Sequence, residues 1–414
     1  MKVAFIGYSF SPMSPSVRLA KALDNKGINS KLIANESKLS NVQILKTSWF
    51  YRHFIRRFRN YYLNYFYWKK YPEKLHLPFS VNFLSTNPLN KRLIHDADII
   101  HLDWIANSFV DLSKLNSIDK PLFWTLHDVW PVTGGCHCNL GCKKWETGCG
   151  NCPQLNSNAK KDASSIFWED KKTKISDLKN LHLISPSNWL AEMARRSPIL
   201  KNFPIKVIPN SLDTEIFKPK NKSDCKKLYH LNPQDKIILF GAANAIKTWY
   251  KGFDLLLEAL FILKEKANES FHLVIFGAKE EEVEKQEIPI PFTNLGFIND
   301  ELTLSTIYNL ADVFVGPSRQ DNFPNTFVEA TSCGIPGVGF DVGGIPEIID
   351  HKRNGYIAKS FDTNDLANGI LWTLKDRQKY LEMSQYSRNK AFSNYSMDVV
   401  SKKHIEYYKS VNTQ

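Results

Sequence analysis

Along most of the chain, short runs of apolar, often β-branched residues alternate with longer stretches whose apolar residues recur every three or four positions. Runs of the first kind read as strands buried on both faces, and stretches of the second kind as helices that cover them. Their alternation predicts parallel sheets flanked by helices. In the first half, strands are expected over residues 2–7, 30–34, 98–102, 122–126, 181–184 and 206–208, with a helix over 14–26 that Gly27 ends. The second half restarts the pattern: strand 236–240, helix 253–264, strand 272–276, helix 301–311, strand 313–315, helix 325–333 and strand 335–339. Residues 209–235, rich in Pro, Asn, Lys and Ser, read as a linker. The expected fold class is α/β: two doubly wound parallel-sheet domains of similar size facing across a cleft. Ligands of such sheets bind at the carboxyl ends of the strands.

Composition narrows the class. Of 414 residues, 43% are apolar and 23% charged, which excludes a wholly disordered or fibrous chain. No run reaches the roughly 18–20 apolar residues that cross a bilayer. The opening residues have too short an apolar core for a signal peptide and read as a first strand, so a cytoplasmic protein is expected. Charge is lopsided. Residues 1–205 hold 29 Lys and Arg against 15 Asp and Glu, whereas residues 206–414 hold 25 against 27. The excess positive charge lies in the first half and suggests an acidic partner there: a membrane surface, a phosphorylated substrate or nucleic acid. A solvated basic surface is the plainer alternative.

Two segments concentrate chemistry in that half. WFYRHFIRRFRNYYLNYFYWKK, residues 49–70, has six basic and no acidic residues. At helical spacing Phe50, Phe54, Phe58 and Tyr62 form one stripe, and Arg52, Arg56 and Arg59 another. This is the composition of a helix lying in the plane of an anionic membrane surface; the alternative is aromatics packing into their own domain. Five of the seven cysteines fall within residues 136–152. A cytoplasmic location disfavours disulfides, leaving a structural zinc as the natural reading. Cys149-x2-Cys152 has knuckle spacing, and by spacing alone Cys138-x3-Cys142 is its best partner.

In the second half, SRQDNFPNTFVEATSCGIP, residues 318–336, leads from a strand into a helix beginning near Asn325. The first amides of a helix are free to meet an anion, and Pro324 suits the entry. Asp321 precedes the helix and Glu329 follows eight residues later. Carboxylates at both ends of an anion cradle suit a ligand with hydroxyls on both sides of a pyrophosphate, as in a nucleotide sugar. Taken alone, Asp321 could be a helix cap and Glu329 a solvated residue.

The same stretch resembles the E-x7-E motif of retaining GT-B glycosyltransferases of family 4, the large group that includes bacterial polysaccharide enzymes. VIPNSLDTEIFKP (207–219), YKGFDLLLEAL (250–260) and FDVGGIPEIIDHKRNGYIA (340–358) resemble that family's linker, Lys-Gly and Gly-Gly segments, in its order. The resemblance implies a GT-B fold of two Rossmann-like domains: an acceptor-binding domain over 1–207, with a Cys-rich segment at 134–153, and a donor-binding domain over 208–390. Residues 391–414 are then a helix returning to the first domain. It implies transfer of a sugar from a nucleotide-diphosphate donor to a polyprenyl-diphosphate-linked glycan, in capsule, exopolysaccharide or O-antigen synthesis, at the inner face of the cell membrane.

Position by position, Glu329 matches the residue that holds the ribose hydroxyls. Asp321 matches the one that contacts the donor sugar, although the family usually has Glu there. Phe323, Pro324, Asn325 and Thr326 match the loop whose amides hold phosphate and sugar oxygens. Lys251 matches the diphosphate-binding base, and Lys247 stands nearest to the family's accompanying Arg. Backbone near Phe297 and Ile298 is expected to meet the nucleotide base. TLHDVWPVTGGCHCNLGCKKWETGCGNCPQL, residues 125–155, resembles transferases of extracellular or capsular polysaccharides, with His127 near the reacting sugar, polarising or positioning it. The resemblance favours Cys136, Cys142, Cys149 and Cys152 as zinc ligands, because related sequences commonly lack a cysteine at the place of Cys138. The first loop, YSFSPMSPSVR (8–18), lacks the family's Gly-Gly pair, so Ser14, Ser16 or Arg18 is expected to meet the acceptor. Asp103 stands where similar sequences have His. The diphosphate would be met by Lys251, Lys247 and the helix start, with no catalytic cofactor. The lone Asp96-Ala97-Asp98 precedes a buried strand in the wrong half for a donor-binding metal. The alternative function is a nucleic-acid-binding protein using the basic, cysteine-rich first half; it leaves the second half unexplained.

Overall fold

The computed structural model of the chain describes residues 1–44, 54–85, 89, 94–267 and 269–411. They form two compact units, Met1–Ile208 with Ser401–Gln414, and Pro209–Val400.

The first unit is built on a seven-stranded, all-parallel sheet in the order β3-β2-β1-β4-β5-β6-β7. The strands are β1 Lys2–Phe10, β2 Asn29–Ser37, β3 Val42–Ile44, β4 Ile99–Leu102, β5 Leu122–Thr125, β6 Leu181–Ser185 and β7 Ile205–Val207. Every residue of β4 (IIHL) and β5 (LFWT) is buried, as strands covered on both faces must be. The winding reverses between β1 and β4, which pair in the register Val3↔Ile99 and Phe5↔His101. Such a reversal leaves a crevice beyond the carboxyl ends of the strands. Helix Pro15–Asp24 follows β1, Ala163–Ile175 precedes β6, and Asn188–Arg196 lies between β6 and β7. Asp162 and Ser187 cap the last two by accepting from the Ser165 and Leu190 amides.

The second unit has a six-stranded parallel sheet in the order β10-β9-β8-β11-β12-β13. Its strands are β8 Lys236–Gly241, β9 Phe271–Phe276, β10 Phe292–Asn294, β11 Val313–Gly316, β12 Gly337–Phe340 and β13 Gly355–Ala358. Here the reversal lies between β8 and β11. Helix Asn325–Ser332 lies against β11 and β12 through Phe327. A Cβ on Gly316, Gly337 or Gly339 would stand 2.4–2.9 Å from that ring, so the glycines create the space the ring fills. The helix that carries Glu329 is thereby seated on the sheet.

The last helix, Met397–Val411, carries the chain out of the second unit and back into the first. Tyr408 is fully buried there, edge-on to Phe123 of β5 at 4.7 Å. Its hydroxyl meets His101 Nδ1 at 2.5 Å, and the other ring nitrogen meets Thr125 Oγ1 at 2.7 Å. Burial, with His404 adding repulsion, pushes the His101 imidazole down to about 3 from an ordinary 6.5. Between those values the unfolded chain binds a proton that the folded chain refuses, so stability rises with pH across the window and is lost as pH falls through it. Denaturant midpoints at several pH values between 4 and 7.5 should therefore drop steeply on the acid side. His101→Asn should flatten that limb, and an unchanged slope would mean other groups set it.

Candidate active site

In the second unit, the segments after β8 and β11 meet at the winding reversal. Lys251 ends a short 3-10 turn, Trp249–Lys251, and its ammonium donates to Asp321 Oδ2 at 2.6 Å, both side chains being mostly buried. The turn is pinned to the β11 loop by backbone: the Arg319 amide donates to the Tyr250 carbonyl at 2.8 Å. The Arg319 guanidinium forks onto Asp254 at 2.8 and 2.6 Å and lies over the Trp249 ring. Gly252 has φ +75°, and a Cβ there would come within 1.9 Å of the Pro317 carbonyl oxygen. Only glycine allows this approach, which is what brings Lys251 to Asp321. On the other side, Gly343, at φ +59°, sits equally tight against the Asp321 carbonyl, which accepts from the Gly344 amide at 3.0 Å.

Helix Asn325–Ser332 begins directly after Pro324 and has no side-chain cap. Asp321 therefore does not act as its cap; it is committed to Lys251. Glu329 is buried on the same helix, where its Oε2 accepts from the Tyr308 hydroxyl at 2.8 Å. Phe323 is buried edge-on to Tyr395, and the Asn325 side chain accepts from Asn210 at 2.9 Å. Lys247 is exposed beyond β8, and Phe297 and Ile298 follow β10, with Phe297 exposed. Lys251 and Asp321 thus come into contact, Glu329 lies eight residues beyond Asp321 in the second turn of the helix, and among the described residues no ion pair joins Lys247 to either.

In the first unit, His127 follows β5, Asp103 follows β4, and Ser16 lies in the helix after β1. The His127 Nε2 bonds Asp103 Oδ1, and Ser16 adds a hydrogen bond to the same carboxylate. Three residues singled out separately in the sequence are therefore one cluster at the reversal of this sheet. Burial works against the charged imidazole, but the Asp103 carboxylate outweighs it and holds His127 above its ordinary value. Burial likewise opposes the Asp103 charge, and the His127 imidazolium nonetheless holds that carboxyl below the usual range. Ser14 starts the same helix, its hydroxyl donating to the Ser11 carbonyl at 2.9 Å, and Arg18 is buried one turn on.

Residues 225–390 match the profile of the family described as Glycosyl transferases group 1. The chain is 25% identical over 335 residues to WcaC of Escherichia coli K12, a glycosyl transferase assigned to colanic acid biosynthesis, covering 76% of this chain and 75% of that one. It is 29% identical over 195 residues to the Campylobacter jejuni N,N'-diacetylbacillosaminyl-diphospho-undecaprenol alpha-1,3-N-acetylgalactosaminyltransferase, covering 46% of this chain and 50% of that one. Among solved structures, the lipopolysaccharide-biosynthesis glycosyltransferase WaaG superposes with a TM-score of 0.64 at 16% identity, covering 98% of this chain and 99% of that one. Anabaena HepE bound to UDP-glucose gives 0.63 at 16%, covering 99% and 100%. The chain has the GT-B fold.

In this GT-B chain Trp145 and Cys149 of the cysteine segment pack with the core of the first unit. Cys136, Cys142, Cys149 and Cys152 border one small cavity with Trp145, Lys144 and Ser164, whereas Cys138 is buried apart from it. Among the described residues no two cysteines form a disulfide. Of the basic, aromatic segment, residues 49–53, with Phe50 and Arg52, lie outside the described residues. The rest forms helix Arg56–Phe66 and a 3-10 turn, Trp68–Lys70. The expected aromatic stripe divides. Tyr62 turns inward and stacks on Phe83 at 4.9 Å beside buried Leu63, while Phe54, Phe58, Tyr61, Tyr65 and Phe66 are 46–68% exposed.

Several contributors had no local signal. Tyr308 sits in an apolar helix pattern and reads as core. The Arg319–Asp254 fork joins residues 65 apart in sequence. A second imidazole–carboxylate pair also escaped notice: Asp128 accepts from His137 Nδ1 at 2.8 Å and Trp104 Nε1 at 2.9 Å, and the other His137 nitrogen meets Ser80 Oγ at 2.7 Å. Only long-range contacts reveal it.

The Asp103–His127 pair sets a titration test. By NMR the His127 ring should titrate above 6.5 in the wild-type protein. In Asp103→Asn only the weaker field of Asp128 still opposes burial, so the midpoint should fall. An unmoved midpoint would mean the carboxylate does not govern the imidazole.

Proposed function

We propose that this chain is a retaining glycosyltransferase that moves a sugar from a nucleotide-diphosphate donor to a polyprenyl-diphosphate-linked glycan at an anionic membrane surface. The observation that carries this reading is the constellation of the second unit: Lys251 paired with Asp321 at the sheet reversal, with Glu329 buried on the helix that starts there. The unit's match to a glycosyl transferases group 1 profile and the UDP-glucose bound to Anabaena HepE support it. The Campylobacter relative, named for an undecaprenyl-diphosphate-linked acceptor, supports the acceptor class.

In this reading Lys251, Lys247 and the first amides of helix Asn325–Ser332 meet the diphosphate and stabilise its charge as it leaves. Phe323, Pro324 and Thr326 shape the turn that offers those amides. Glu329, oriented by Tyr308, accepts the ribose hydroxyls, and the nucleotide base lies along the backbone at Phe297 and Ile298. Asp321 exchanges part of its bond to Lys251 for the sugar hydroxyls. Departing phosphate oxygens on the same face of the sugar take the acceptor proton, which preserves the anomeric configuration. His127, whose charged form Asp103 favours, positions the acceptor through hydrogen bonds, with Ser14, Ser16 and Arg18 beside it. The charges already present serve the leaving group, so no catalytic cofactor is proposed.

Glu329→Ala should weaken binding of the cognate nucleotide sugar by about 2–3 kcal/mol, roughly 30- to 150-fold in Kd, since it removes a charged acceptor from two hydroxyls. Calorimetry with UDP-, GDP- and dTDP-sugars measures this, and unchanged affinity overturns the role of Glu329. The anomeric configuration of the product, read by NMR, decides retention against inversion.

The exposed aromatics and the basic residues Arg56, Arg57, Lys69 and Lys70 beside them favour the membrane surface. Co-sedimentation with vesicles should require anionic lipid and fall as salt rises. Changing these four residues together to Gln should reduce binding by about tenfold or more. Equal binding by both proteins, or none by either, would assign the patch another role.

A further inference from the structure

We infer that Trp104 is a specificity-determining platform in the first unit, an indole on whose face a pyranose ring of the acceptor stacks, and that Asp128 is the positioning residue that holds it; the role rests on the proposed placement of the acceptor beside His127. Trp104 directly follows Asp103 beyond the carboxyl end of β4, and Tyr8 lies near the carboxyl end of β1. The winding of the sheet reverses between these two strands, which is where a parallel sheet takes its ligand. The Tyr8 amide donates to the Trp104 carbonyl at 2.9 Å, and the two rings meet at 83° with centroids 5.7 Å apart. Both rings are partly buried against the core of the unit rather than enclosed in it.

The indole is held firmly. Two side-chain bonds run next to each other between the ends of β4 and β5: His127 bonds Asp103, and Trp104 Nε1 donates to Asp128 Oδ2 at 2.9 Å. Asp128 also accepts from the Trp130 amide at 2.7 Å and bonds His137 Nδ1 at 2.8 Å. Burial opposes the Asp128 charge, but the His137 imidazole and these donors hold its carboxyl below the usual range. The imidazole stacks on Trp104 at 5.3 Å and on Trp130 at 6.4 Å, and its Nε2 meets Ser80 Oγ at 2.7 Å. The Trp130 indole donates to the Ser80 carbonyl at 2.9 Å, which ties the stack to a further segment of the chain. A ring fixed in this way loses little freedom when a ligand arrives.

The polar atoms of the stack are spent on one another. The Trp104 N–H and both His137 nitrogens have partners within the protein. What Trp104 has left to offer a ligand is its π face, which is apolar and electron-rich. A pyranose ring matches that surface, because its axial C–H bonds gather on one face and carry slight positive charge. Stacking by that face leaves the hydroxyls at the rim of the sugar for the neighbouring His127–Asp103 pair. An apolar surface with a few fixed polar groups beside it is the usual build of a small-molecule site.

The probes are the methyl α-pyranosides of glucose, galactose, mannose and N-acetylglucosamine, titrated into the full chain and followed by saturation-transfer difference NMR. At least one should bind, with the strongest saturation at its ring C–H protons. Trp104→Ala should weaken that binding by about tenfold, and Trp104→Phe, which keeps an aromatic face, by about threefold. Asp128→Ala should weaken it by about threefold, and Asp128→Asn, which still accepts from the indole, should restore most of the loss. Because the alanine variants can lose local structure, the wild-type protein gives a second readout. With nitrogen-labelled indoles, the resonance absent from Trp104→Phe should move as the glycoside is added. Binding of none of these glycosides overturns the proposal. So does binding that leaves the Trp104 resonance unmoved, or a larger movement with uridine monophosphate than with any glycoside. Nucleotide-sugar titrations of the same wild-type protein keep the donor reading separate. Pyranoside binding without nucleotide-sugar binding overturns the donor reading alone, and the reverse overturns the platform alone.

Discussion

The second unit depends on backbone lying against backbone at the carboxyl end of β11. Gly252 presses on the Pro317 carbonyl and Gly343 on that of Asp321, with no room for a side chain at either contact. One approach brings in the segment after β8, and the other brings in the segment after β12. Their effect is to concentrate a lysine, a carboxylate and a helix start where a parallel sheet already leaves a crevice. Larger residues at these points would push the segments apart by ångströms, far more than a hydrogen bond tolerates. The same logic seats the helix bearing Glu329, since three glycines on β11 and β12 take in the Phe327 ring.

Charge is handled differently in the two units. In the second, Lys251 and Asp321 satisfy each other, so neither is left without a partner when no anion is present. A ligand with both phosphate and hydroxyls can replace each half of that pair in kind. In the first, Asp103 and His127 are buried, and each favours the other's charged form against the cost of burial. Their bond fixes the direction of the imidazole, because a ring bonded at Nε2 has only Nδ1 left to offer.

Much of this was legible in the sequence. Mostly apolar runs such as IIHL and VFVG pointed to both sheets, because strands buried on two faces leave no polar alternation. Pro324 followed by Asn325 marked the helix start, and the spacing of Asp321 and Glu329 marked the site. Other features were not legible for physical reasons. β3, β10 and β13 are short edge or near-edge strands with mixed polarity. Tyr308 reaches Glu329 from another helix, and its hydroxyl is invisible in an apolar pattern. The inward turn of Tyr62 follows from stacking on Phe83, a contact that periodicity cannot foresee. Spacing favoured Cys138 over Cys136, whereas the cavity is bordered by Cys136 and not by Cys138, a distinction that spacing does not carry.

The return of the last helix to the first unit has a consequence for synthesis. The second unit is a continuous stretch, residues 209–400, and has all its strands and its Phe327 packing once that stretch has emerged from the ribosome. The first unit begins earlier yet must wait, because Tyr407 and Tyr408 cover the face of β4 and β5 that carries His101 and Phe123. Domains usually mature in the order in which they are translated. Here the order is inverted: the half made first is the half completed last, and for most of translation it exposes an unsealed apolar face to the cell's chaperones.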